Sequence, residues 1–167
     1  EVHPVWAPEK AAFEAVAYGD RILVTLPEGK PVGPAHAALV VHELGRRLLA
    51  RMPAEKKVMF TQRVVEKAGH DPEGHFLFVE AVLDALGYGL AAPLVAAGPG
   101  QVPAWPGDAA RKKLAEKLTA LLRDSLARGR PMDMAFVNRA AAAQAASVPP
   151  GPADFLTGAI VVLPQGV

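Results

Sequence analysis

Two histidines, His70 and His75, bracket the clearest helix start in the chain. Asp71 is a good N-cap residue, Pro72 suits the first helical position, and Glu73 places an acid in the first turn. With Asp71 at the cap, His70 and His75 fall on the two positions that touch in a hydrophobic staple. Two imidazoles brought together in this way could share a divalent transition metal. A third ligand would have to come from elsewhere in the fold, from His42, Glu43 or His3. The plainer alternative is a packed or solvated pair.

The stretch AHAALVVHE places His36, His42 and Glu43 close in sequence, but it is not HExxH. At about 100° per residue, His36 and His42 lie roughly 120° apart around a helix and cannot share an ion. His36 and Glu43 share a face, about 10 Å apart along the axis. This spacing favours one satisfied core histidine and one surface histidine.

A third candidate is the loop PEGKPVG, residues 27–33, which leaves a strand and enters a helix. Backbone N–H groups at a helix start favour anions, and Gly29, Lys30 and Gly33 would form the cradle. The loop lacks the P-loop spacing and is not GxGxxG, so an ordinary connection with a solvated lysine competes with that reading. Arg111, Lys112, Lys113 and Lys117 put cations at the start of a long helix, against its dipole. They suit a phosphate or an acidic partner, or else a solvated outer face. Ser125 and Ser147 both fall in predicted helices, away from any nucleophile elbow.

The elements that must position these groups centre on residues 20–52. Residues 22–26 (ILVTL) have the length and branching of a buried strand, and Pro27 stops it. Pro34 opens a helix in which Ala37, Val41, Leu44, Leu48 and Met52 form one apolar face, and Pro53 closes it. Residues 1–8 read as an extended arm and 8–18 as a short helix. Residues 54–68 read as a helix with a strand-like start. The next helix runs over 72–86 with Phe76, Val79, Leu83 and Leu86 inward. Asp108 caps another, striped by Leu114, Leu118, Leu121, Leu122 and Leu126. Strands are expected at 90–97, 132–137 and 159–163, with an alanine-rich helix at 138–147. Together these predict an α/β fold: a small mixed or parallel sheet of about four strands covered by helices, in a single domain over 1–167. The sheet should contain 22–26 and 159–163, with helices 35–52 and 108–128 packed on it.

The chain has 167 residues, 51% hydrophobic, with a net charge of +1. The charge balance and the lack of aromatic interleaving give no sign of nucleic-acid binding. No cysteine is present, so thiol chemistry and disulfides are excluded. No uninterrupted apolar run reaches the length of a spanning helix, which predicts no membrane association. A start at Glu1 suggests processing, tag removal or a numbering choice, and the reading leans to the cytoplasm. Charge is segregated: residues 70–106 hold four acids and no Lys or Arg, and residues 107–130 hold seven Lys or Arg against three acids. Such neighbours attract. The functional expectation is a small domain that binds a small anionic or metal-linked ligand, with catalysis left open. The alternative is a non-catalytic interaction protein or oligomer subunit; under either reading the high apolar content predicts self-association, as a dimer.

Overall fold

The computed structural model describes residues 1–7, 15–18, 21–28, 32–68 and 72–145. It is mostly helical, which overturns the expected four-strand α/β layer. The sheet has three strands in the order β1-β3-β2, from β1 (Val2–Ala7), β2 (Ala15–Tyr18) and β3 (Arg21–Pro27). β1 runs parallel to β3, with Val2 opposite Ile22 and Trp6 opposite Leu26. β2 runs antiparallel to β3, with Ala15 opposite Val24. In β3, Ile22 and Val24 are buried, the alternation a strand imposes. The expected strand at 22–26 is present, and the expected arm is its parallel neighbour. Residues 15–18 form a strand where a helix was predicted. The strand expected at 159–163 lies outside the described residues.

The helices are α1 (Pro34–Ala50), α2 (Ala54–Ala68), α3 (Pro72–Asp84), α4 (Ala92–Val95), α5 (Ala109–Ala127) and α6 (Met134–Ala145). A π-helical segment, Ala85–Ala91, joins α3 to α4. α1 packs on β2 and β3 on one side, and on α3, the π segment and α4 on the other. α5 packs on α3, the π segment and α6, not on the sheet as predicted. The main core lies among α2, α3, α5 and α6, with Phe78, Leu114, Leu118, Leu122 and Phe136 buried.

Two predicted strands are helical for identifiable reasons. Residues 90–97 include four alanines, a strong helix former. Pro93 within this run removes one helical donor, that for the carbonyl of Gly89 four residues back. Arg123 fills the gap: its Nη2 donates to the Gly89 carbonyl at 3.0 Å. The π turn accommodates the same break, with the Ala92 N–H reaching back five residues to Gly87. In 132–137, Asp133 acts as an N-cap, accepting from the Phe136 N–H at 3.0 Å, so α6 starts inside the apolar run.

Several predicted faces also turn out differently. In α1 the buried residues are His36, Ala38 and Gly45, while Leu44 and Leu48 are exposed. Small residues face inward because the helices meet closely: a Cβ on Gly87 would lie 2.4 Å from the Ala38 carbonyl oxygen, and one on Gly45 would lie 2.7 Å from a Leu83 methyl. In α3, Phe76 is exposed and Phe78 takes the core position. In α5, Leu126 is exposed and Ser125 is buried. Gly74–Val95 is a helical run long and apolar enough to cross a membrane, by length and composition, and about half of its most apolar stretch is buried in the fold.

Candidate functional site

Two places hold side chains that could do chemistry. The first is a buried charged cluster where α1, α3 and α5 meet. Glu80 and Asp84 lie one turn apart on α3, both almost wholly buried. Asp84 accepts from Nε and Nη2 of Arg111, the latter at 2.8 Å from Oδ1. Glu80 lies between two guanidiniums, 3.0 Å from Arg46 Nη2 and 3.1 Å from Arg111 Nη2. His42 Nε2 sits 3.6 Å from Glu80 and 3.4 Å from Asp84. Glu43 turns to Arg46, at 3.5 Å.

Three carboxylates, Glu43, Glu80 and Asp84, share two guanidiniums, Arg46 and Arg111, beside the His42 imidazole. Burial holds the His42 imidazole below its usual value, against the upward pull of Asp84 and Glu80. Burial also pushes Tyr88 up, assisted by the charge of Asp84. The hydrogen bond to Asp84 raises Arg111 further, above its already high value. Each ion has an opposite partner, so the cluster reads as a clamp holding α1 and α5 to α3.

The candidates read from the sequence are scattered. His70, with Asp71, lies outside the described residues, as do Gly29 and Lys30. His75 is set against α2, edge-on to Phe60 with ring centres 6.1 Å apart and 3.5 Å from the Thr61 hydroxyl. His42 faces the charged cluster instead. Among the described residues, no group of three His, Asp or Glu side chains is arranged to hold a metal ion. Gly33 is the N-cap of α1, and its N–H donates to His36 Nδ1 at 3.1 Å, which commits that donor within the chain. Burial lowers His36 from its ordinary value. Of the basic group, Arg111 points inward to Asp84, and Lys112 pairs loosely with Glu116 at 4.0 Å. Attraction between the acidic and basic segments is realised in Arg111, which the sequence reading placed with its lysine neighbours.

The second place is a cavity of about 440 Å³ where the end of α1, α2, α3 and the start of α6 meet. This is the size of a small-molecule site. All four methionines of the chain line it: Met52, Met59, Met132 and Met134. Phe60, Phe78 and Phe136 add aromatic wall, and Val79 and Val82 form its α3 side. Two charged residues reach the lining, Lys56 and Asp133. Asp133 is committed as the cap of α6. Lys56 is exposed and, among the described residues, makes no ion pair. Sequence reasoning missed this cavity because Met52 and Met59 lie far along the chain from Met132 and Met134, and no periodicity links them.

No protein-family model, curated protein or solved structure matches this chain.

Proposed function

We propose that the chain is a small-ligand binding protein whose methionine-lined cavity takes an amphiphile, an aliphatic body with an anionic head. The observation that carries this reading is the convergence of all four methionines on one cavity beside Lys56, which makes no ion pair among the described residues. Thioether side chains are unbranched and polarizable, and adapt to aliphatic guests. Lys56 supplies one cation for a carboxylate head, while Met59, Phe60 and Val82 supply an apolar wall. The sequence pointed to a small anionic ligand, and this reading keeps the anion while moving it from the 27–33 loop to Lys56.

Calorimetric titration with decanoate, and in parallel with the neutral 1-decanol, tests it. Decanoate should bind at one saturable site, and more tightly than the alcohol. Changing Lys56→Ala should weaken decanoate about tenfold, the loss of one charge-assisted contact, and leave the alcohol unchanged. Absence of saturable decanoate binding overturns the reading.

A further inference from the structure

We propose that Met59 and Met132 make the cavity an oxidation-sensitive site, emptied of ligand when peroxide converts their thioethers to sulfoxides. This rests on the amphiphile reading and adds its regulation. The chain contains no cysteine, so methionine is its only sulfur. Met59 and Met132 are half exposed, at 52% and 50%, whereas Met52 and Met134 are more covered. The two half-exposed methionines line the cavity from different elements, one on α2 and one in the turn before α6.

The chemistry balances with peroxide as oxidant. A sulfur lone pair attacks one peroxide oxygen, an S–O bond forms, and the O–O bond breaks. The hydroxide released takes a proton and leaves as water. Sulfur loses two electrons and the peroxide gains them. The product is a polar, chiral sulfoxide in place of a flexible apolar side chain, and sulfoxide reductases reverse it. Two sulfoxides at the mouth of an apolar cavity would have to lose hydration when an aliphatic chain enters.

The test is graded hydrogen peroxide treatment of the full chain, followed by peptide mass spectrometry and decanoate titration, with circular dichroism at each step. Met59 and Met132 should each gain one oxygen before Met52 and Met134. Decanoate affinity should fall at least tenfold with helicity intact, and return after methionine sulfoxide reductase. In the double variant Met59→Leu, Met132→Leu, which keeps volume and apolarity, the decanoate affinity measured before treatment should be the same after it, whatever its starting value. Prior oxidation of Met52 and Met134, or equal affinity before and after oxidation of Met59 and Met132, overturns the switch and leaves the cavity reading standing. Failure of untreated protein to bind decanoate overturns the cavity reading and the switch with it.

Discussion

Arg111 grips Asp84 with two donors of one guanidinium, and does so across the α3–α5 interface at a site where the carboxylate is wholly buried. Bidentate pairing of this kind fixes both distance and orientation. The same guanidinium reaches Glu80, so one side chain serves both buried carboxylates of α3.

Changing Arg111→Ala should therefore cost about 3–5 kcal/mol, the range for breaking a buried pair and leaving its partner charged and alone. Urea denaturation measures it. The double change Asp84→Leu, Arg111→Leu should recover most of the loss, since no ion is then stranded. A single-variant loss of under about 1 kcal/mol would place this pair with weak surface bridges.

The close crossing of α1 and the π segment gives a second prediction. Gly87→Ala should destabilise by about 1–3 kcal/mol, toward the upper end because the obstructing atom is the backbone oxygen of Ala38. Gly98→Ala and Gly100→Ala, where an added Cβ meets nothing, should stay within about 0.5 kcal/mol. Thermal melting of the three variants side by side decides it. Similar melting temperatures for all three would contradict the packing described.

His42 and His36 set the sign of the pH dependence. Both are held below the ordinary 6.5 by burial, so near and below that pH the unfolded chain binds protons that the folded chain refuses. Their contribution to stability is intact above 6.5 and declines as pH falls through it. Urea midpoints taken from about pH 8 down to about pH 5 should fall on the acid side, in the range where histidine titrates. His42→Gln should flatten part of that slope. An unchanged slope in the variant would remove His42 from the account.

Val79 lines the cavity from α3. Val79→Trp should fill space that decanoate would use and abolish its binding. An overpacking penalty of about 1–3 kcal/mol should leave the protein folded. Undiminished decanoate affinity in a folded variant would place the ligand elsewhere.

The sequence revealed local order better than layer order. β3, α1 and α5 were readable because each has a start signal, a stop signal and one period. The runs at 90–97 and 132–137 misled because a short apolar stretch suits a strand or a buried helix equally. Asp133, of a type that caps helices, and Pro93, of a type that interrupts strands, each lay inside a run whose apolarity dominated the reading. The inward face of α1 could not be seen from hydrophobicity, since Ala38 and Gly45 are buried for their small size while Leu44 and Leu48 stay outside. Of the candidate site, only the opposed charge of adjacent segments was legible, and it pointed to the clamp rather than the cavity.

Pro4 lies in β1, an outer strand of the sheet. The Ile22 N–H bonds to the Glu1 carbonyl at 2.8 Å, so in this parallel register the odd-numbered residues of β1 turn their backbone groups to β3. The even-numbered ones, Pro4 among them, turn theirs away from β3, to the side where no described strand pairs. The ring nitrogen thus costs the sheet nothing internally, while the middle of its outer rim lacks a donor. A stray strand arriving there would find an interrupted ladder, so the β1 rim is a poor template for edge-to-edge pairing.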